Sequence, residues 1–411
     1  MHNVNQPYDV LIVGAGPAGV SAALMLGDKK LSVAVVDKCI FPRDKICGDG
    51  LSADVVKQLY QLPDSVKKNF NTFKAKQPSF GVSFVAPSKK DLFIPFTQKN
   101  EIDAPGYVVK RFDFDHFLVK QLTQFDNIDV FEGETVTDIK RDDDGLKVKT
   151  TNHSFNARFL IGADGAHSIV SKKLTRNKLS KKHHCAGVRL YAKNVSGIDQ
   201  KSFPIELQFH SKCLPGYFWI FPLPDNTVNV GLGILTSEVS KNKLNLKKIL
   251  LDLIQNDPEI APRFKEAELE LPIQGFGLPL GSKKKQLSGD HFLLLGDAAS
   301  LIDPFTGEGI ANAIRSGRLA ADHIIQAFKA NQMNATFNKR YDRIVYQKMG
   351  NEFKISHGLQ RMLNYPWLFN FVVKKAKKNE SLRKLISSML DNIDIKKDLV
   401  KPSFYIKLLF T

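Results

Sequence analysis

A glycine turn set between a buried strand and a helix constrains this chain more than any other feature. Residues 10–13 are an unbroken apolar run ending at Gly14-Ala15-Gly16-Pro17-Ala18-Gly19, after which residues 17–26 continue at helical spacing to Gly27. Residues 31–36 form a second apolar run, and Asp37 closes it 18 residues past Gly19. Strand, helix and strand in that order predict a βαβ unit and hence a parallel sheet. Glycines at 14, 16 and 19 allow a tight turn and let the backbone approach a pyrophosphate, which the amides and dipole of a helix N-terminus favour. An acid at the second strand end suits a ribose hydroxyl. Gly14, Gly16, Ala18, Gly19 and Asp37 are therefore expected to contact a dinucleotide, although the six-residue pattern alone would also fit a turn without ligand.

Further along, residues 80–96 read as strands around Pro87 and Pro95, and residues 112–122 as an amphipathic helix. Residues 128–131, 134–141 and 146–151 read as strands, with Asp144-Gly145 as a hairpin turn. Residues 159–161 and 292–295 are two more buried strands, entering Gly162-Ala163-Asp164-Gly165 and Gly296-Asp297. From Cys185 to about Leu280, short strands, prolines and aromatics predict an antiparallel sheet, with one helix over residues 245–256. Ile310, Ala313, Ile314, Gly317, Ala321, Ile324, Ile325 and Phe328 repeat at helical spacing, and the chain beyond Ala330 reads as helical and basic. The expected fold class is α/β: a Rossmann-like dinucleotide domain with a parallel sheet (residues 1–75, 106–184 and 285–330), an antiparallel-sheet substrate domain (76–105 and 185–284) and a helical C-terminal region (331–411).

A chain of 411 residues has room for such a multi-part core. Lys and Arg total 59 against 42 Asp and Glu, a net charge of +17. That surface suits anionic lipid or phosphorylated substrates, or is simply a solvated face. Nucleic acid is not expected, because no recognised binding module accompanies the charge. The four cysteines form no CxxC pair, so neither a metal site nor a redox dithiol is predicted. The N-terminus is polar without a secretory pattern, and no apolar run approaches bilayer length. The expected location is the cytoplasm, with peripheral contact at the inner membrane face open.

Two motifs decide which dinucleotide is bound. Leu293-Leu294-Leu295-Gly296-Asp297 is followed by Asp303-Pro304-Phe305-Thr306-Gly307-Glu308-Gly309-Ile310 at the start of the long helix. Here the sequence resembles the FAD-dependent oxidoreductases of the aromatic hydroxylase superfamily. The resemblance implies FAD, with Asp297 at the ribityl–pyrophosphate region and Gly307, Gly309 and Ile310 beside the isoalloxazine. A helix N-terminus there would favour the negative charge of reduced flavin. Asp164-Gly165 resembles the superfamily's DG motif, associated with holding the flavin and a passing NAD(P)H. By the same resemblance Arg111 would contact FAD and Val136 would offer backbone to the adenine.

Two further segments resemble the geranylgeranyl reductase branch. Phe41-Pro42-Arg43-Asp44-Lys45-Ile46-Cys47-Gly48-Asp49-Gly50 matches a stretch with a Cys-Gly pair and an acid close to the flavin, implying contacts from Cys47, Gly48 and Gly50 and a catalytic role for Cys47. Tyr217-Phe218-Trp219-Ile220-Phe221-Pro222 resembles its substrate-cavity motif. Strand alternation puts Tyr217 and Trp219 on one face and Phe218 on the other, so Tyr217, Trp219 and Phe221 are the expected cavity wall. The sequence departs from the branch at Leu223, where a Lys is common, and its tail matches no motif.

The resemblance implies reduction of carbon–carbon double bonds in an isoprenoid or other lipid-like substrate. No second strand–glycine–helix unit is found, so the electron donor is expected to be transient NAD(P)H or a ferredoxin-type protein. Alternative readings on the same scaffold are a monooxygenase or halogenase, for which Lys89 or Lys90 would relay the oxidant, and a flavin electron carrier at a membrane. Aromatics at residues 365–373 beside Lys374, Lys375, Lys377 and Lys378, and a similar run at residues 404–410, suit an anionic membrane interface.

Overall fold

The computed structural model describes residues 7–96, 104–142, 144–380 and 383. The aromatic run at residues 404–410 lies outside them. Two large sheets organise the rest. In the first, five strands run parallel in the order Phe292–Leu294, Ser154–Gly162, Tyr8–Val13, Val33–Asp37 and Ile128–Glu132. The apolar runs of the four inner strands are buried on both faces, as helix-covered parallel strands require, while the edge strand Ile128–Glu132 is only half-buried beyond Ile128. Val136–Asp142 and Gly145–Thr150 extend the Ser154–Gly162 strand as an antiparallel flap.

Register decides where the motifs meet. Val13 pairs with Gly162, Gly162 with Leu294, and Asp37 with Glu132. The glycine turn, the DG loop and the GD loop therefore leave the sheet at one level, at the carboxyl ends of the strands. Helix Pro17–Gly27 packs against helix Ile310–Ala330, and Gly317 is needed there because a Cβ would lie 2.5 Å from the Ala18 carbonyl oxygen.

The second sheet has seven strands, from Glu268–Pro279 at one edge to Asp91–Pro95 at the other. It is not purely antiparallel as expected. Ile205–Gln208 runs parallel to Gly81–Val85: the chain leaves after residues 91–95, builds the first-sheet strands between Ile128 and Gly162, re-enters through His184–Lys193, and then lays Ile205–Gln208 beside Gly81–Val85 in the same sense. Tyr217–Pro222 lies inside this sheet, and its alternation is as predicted. Phe218 and Ile220 are buried in a cluster with helix Leu246–Asn256, while Tyr217 and Trp219 face the other way.

The described part of the C-terminal region, up to residue 380, is helical, as expected, and forms part of the body. Helix Ala335–Met362 starts at an Asn334 cap and buries Tyr341, whose hydroxyl donates to the Leu294 carbonyl. At its far end Gln360 donates to the Pro304 carbonyl, and Ser356 donates to Asp303. The sequence reading missed short helices such as Ala53–Leu59 and Asp64–Thr72, whose two to three turns leave little periodicity to detect.

The glycine turn gives a direct test of this packing. A Cβ on Gly19 would lie 1.9 Å from the Gly14 carbonyl oxygen. Gly19→Ala is expected to cost about 2–3 kcal/mol in denaturant unfolding of the apoprotein.

Candidate active site

A cavity of about 760 Å³ opens at the carboxyl ends of the parallel strands and is closed by the second sheet and by the end of helix Ala335–Met362. It collects every site residue expected from the sequence except Gly19. Gly14, Gly16, Ala18, Asp37 and Val136 line one end; Cys47, Gly48, Gly50, Arg111, Asp164, Asp297, Gly307, Gly309, Ile310, Tyr217, Trp219 and Phe221 line the remainder. Gly19 lies behind the turn and serves its packing against Gly14.

At the first end, Gly14 takes φ +105, a conformation that glycine supplies without strain. A Cβ on Gly16, by contrast, would meet nothing within 4 Å, so the space over the helix N-terminus is open to a ligand. Asp37 braces this turn: one oxygen accepts from the Ala15 amide at 2.8 Å and the other from the Cys39 amide at 2.9 Å. Each oxygen keeps a lone pair for a further donor. Asp164 accepts from the amides of Ile169 and Val170 through Oδ2, while its Oδ1 is buried without a partner. Burial pushes its carboxyl above the usual range.

At the other end, Lys45 reaches Asp297 at 3.1 Å across 252 residues of sequence and lies over the Phe276 ring. Glu308 caps helix Ile310–Ala330 through the Ala311 amide and accepts from the Ser52 hydroxyl at 2.8 Å. Burial raises its pKa. Gly307 adopts φ +73, and Tyr217 comes so close that a Cβ there would lie 2.9 Å from its hydroxyl, which donates to the Thr306 carbonyl.

The middle of the cavity brings Cys47 to the aromatic wall. Asn229 makes the junction. Its amide nitrogen donates to the Cys47 carbonyl at 2.7 Å and to Asp49 at 2.8 Å, and its oxygen accepts from the Trp219 indole at 2.9 Å. Arg111 is buried and holds Asp115 in a two-pronged ion pair at 2.7 Å, with its guanidinium beside the Cys47 thiol. Burial opposes its charge, but Asp115 more than offsets this and raises its pKa.

Comparison with known proteins places the chain. An FAD binding domain model matches residues 7–213, half of the chain, and a geranylgeranyl reductase catalytic domain model matches residues 185–271. The chain belongs to the geranylgeranyl reductase family of FAD-dependent oxidoreductases. It is 27% identical to a menaquinone reductase of Mycobacterium tuberculosis over 379 residues, covering 89% of this chain and 86% of the relative. It is 28% identical to digeranylgeranylglycerophospholipid reductase 2 of Methanosphaera stadtmanae over 359 residues, covering 84% and 85%. A geranylgeranyl bacteriochlorophyll reductase-like protein of Thermoplasma acidophilum shares the fold with a TM-score of 0.78 at 24% identity, covering 96% of this chain and 98% of the other. A flavin-dependent brominase shares it with a TM-score of 0.77 at 22% identity, covering 94% of each chain.

FAD is the cofactor of this family, and the cleft fits it. The open space over Gly16, the helix N-terminus behind it and the orphaned acceptor of Asp164 suit the diphosphate and hydroxyls of such a group. Lys89 and Lys90, the candidates for relaying an oxidant, sit on an exposed hairpin turn, where Lys89 pairs with Glu259; neither lines the cavity.

Four side chains at this geranylgeranyl reductase-family site were not singled out from the sequence: Lys45, Asp49, Asn229 and Glu308. Lys45, Asp49 and Glu308 stand inside motifs already noticed, so position alone could have flagged them. Asn229 sits in an apolar strand and gave no signal. Gly16→Val tests the cleft: it is expected to shift apoprotein stability by less than about 1 kcal/mol, since the space is open. Its FAD affinity, read by flavin fluorescence on titration, should fall about tenfold or more.

Proposed function

We propose that this chain saturates carbon–carbon double bonds in an isoprenoid or other lipid-like substrate. The observation that carries this reading is the apolar half of the cavity, where Tyr217, Trp219 and Phe221 stand beside Val82, Ile205 and Leu207. Two relatives named as reductases of a menaquinone and of a digeranylgeranyl phospholipid support it.

Saturating such a bond takes a hydride and a proton, and FAD, once reduced, supplies the hydride. Its proposed holders are Gly14, Gly16 and Ala18 at the diphosphate, Asp37 at the ribose, and the backbone of Val136 at the adenine. Asp164, Asp297 and Arg111 are assigned to the ribityl side, with Cys47, Gly48, Gly50 and Gly307 to Ile310 at the ring. Electrons come from NAD(P)H or a ferredoxin-type protein. The aromatic wall holds the alkene and excludes water, which an unactivated double bond requires. Cys47 holds the proton: burial keeps its thiol protonated above the ordinary range.

Anaerobic reduction followed by addition of a prenyl lipid tests the reading. Flavin reoxidation with a gain of two hydrogens in product mass is expected; product formed only with oxygen would replace the reading with a monooxygenase. Trp219→Ala should lower kcat/KM about tenfold or more, as loss of one substrate-contacting wall.

Peripheral membrane contact is part of the proposal. Among the described residues no helix is long and apolar enough to cross a membrane. Tyr365 and Trp367 are 59% and 69% exposed at the start of helix Pro366–Lys378, which ends in Lys374, Lys375, Lys377 and Lys378. The same helix buries Phe369 against Phe209, which stacks on the cavity residue Phe305. Exposed aromatics at one end of this helix and lysines at the other, of which Lys377 pairs with Asp91, thus sit on an element one layer from the cavity. Co-sedimentation with anionic vesicles, weakened about fivefold or more by Trp367→Ala, is the expected result; equal binding to neutral vesicles would sink it.

A further inference from the structure

Asp49 is a buried carboxylate that the chemistry above leaves without a task. It is fully buried, and takes φ +66. Oδ2 accepts from the Tyr191 hydroxyl and the Asn229 amide, both at 2.8 Å; Oδ1 accepts from the Arg111 backbone amide at 3.3 Å. A buried charge of this kind is expensive and is retained where it acts on something nearby. Only Gly48 separates it from Cys47, and the Asp49 amide donates to the Cys47 sulfur.

We infer that Asp49 is a positioning residue for the Cys47 thiol: its carboxylate, tied to the Cys47 carbonyl through the shared Asn229 amide, fixes a negative charge beside the thiol and adds to burial in holding a proton on the cavity wall. The inference rests on the reading of Cys47 as the proton holder. Around the thiol the charges are opposed. Arg111 and Lys45, with the Asp49 amide, favour the thiolate; burial and the Asp49 carboxylate disfavour it, and the net direction is upward. Tyr217 also faces the thiol, with Cys185 and Glu308 beyond it, and Asp115, held ionised by Arg111 and Arg43, lies behind Arg111. Without the carboxylate, two cations and an amide would face the thiol with burial as their main opponent.

The carboxylate itself faces Arg189 and Arg111 as well as its hydrogen-bond donors. Burial raises its pKa to about 6, and those neighbours limit the rise. It is therefore mainly charged at neutral pH. As pH falls through about 6 it gains a proton, its opposition disappears, and the thiol becomes more acidic than a single titration would give.

Alkylation of Cys47 by iodoacetamide in the FAD-loaded protein tests this, read by peptide mass so that Cys39, Cys185 and Cys213 are scored separately. In the wild type, the logarithm of the rate should rise by one per pH unit well above about pH 6, flatten near it and resume below, as two coupled groups require. Asp49→Asn keeps the size and suits the positive φ. It should give a single line and about tenfold faster alkylation at neutral pH, one pKa unit of released repulsion. The alkaline limb of turnover should move down by the same amount. Tyr191→Phe removes a hydrogen bond that holds the Asp49 pKa down, so it is read at about pH 9, where the carboxylate stays charged, and should change the rate there less than about twofold.

An unchanged rate in flavin-loaded Asp49→Asn overturns the inference, and so does an equal acceleration in Tyr191→Phe at that alkaline pH. If Asp49→Asn does not hold flavin, a straight wild-type line through pH 6 is enough to overturn it. The alkylation profile needs no turnover, so its failure is separable from failure of the double-bond assay.

Discussion

The parallel register of the first sheet is the constraint on which the rest depends. Gly162 sits between Val13 and Leu294, so three loops that are far apart in sequence leave the sheet together. A slip of one strand would carry Asp164 or Asp297 out of level with Gly14 and reverse which side chains meet the core. Ligand chemistry at the carboxyl ends then follows from topology, with the glycine turn supplying amides and Asp37 bracing it.

Register aligns the first sheet but does not attach the second. That attachment runs through Asn229. Its amide satisfies the Cys47 carbonyl and Asp49 from one side and the Trp219 indole from the other, so the flavin-side loop and the aromatic wall share one buried group. A fully used amide in a buried network is rigid, because each of its bonds would be costly to lose. Arg111 does the same for the back of the loop by spending its fork on Asp115, which also accepts from Arg43 at 2.6 Å. The Cys47 segment is therefore held from three sides.

Much of this was legible in the sequence. The Gly14–Gly19 turn, Asp37, Asp164 and Asp297 were visible because each follows an apolar run whose length reads as a buried strand. Tyr217 and Trp219 were visible because strand alternation divides them from Phe218 and Ile220. What stayed hidden depends on partners remote in sequence. Lys45 meets Asp297 across 252 residues, and nothing local to either announces it. Asn229 stands between Val228 and Val230, where alternation would send a polar residue to solvent; it is instead fully buried. The parallel pairing of Ile205–Gln208 with Gly81–Val85 is likewise a matter of how the chain returns, which strand composition does not encode.

The aromatic wall also gives three glycines, two of them already assigned to the flavin ring, a packing reason of their own. A Cβ on Gly48 would lie 2.9 Å from the Phe221 ring, one on Gly231 would lie 2.4 Å from Trp219, and one on Gly307 would lie 2.9 Å from the Tyr217 hydroxyl. These glycines come from three separate segments, yet each is empty of side chain where one of the three aromatics presses in. Larger residues at any of them would push a ring into the cavity and shorten it. The cavity is thus shaped by subtraction at its walls. Its apolar half stays open while Tyr217 and Trp219 remain fixed by Thr306, Asn229 and the strand. Rigid aromatic walls of this kind bury apolar surface with few polar contacts.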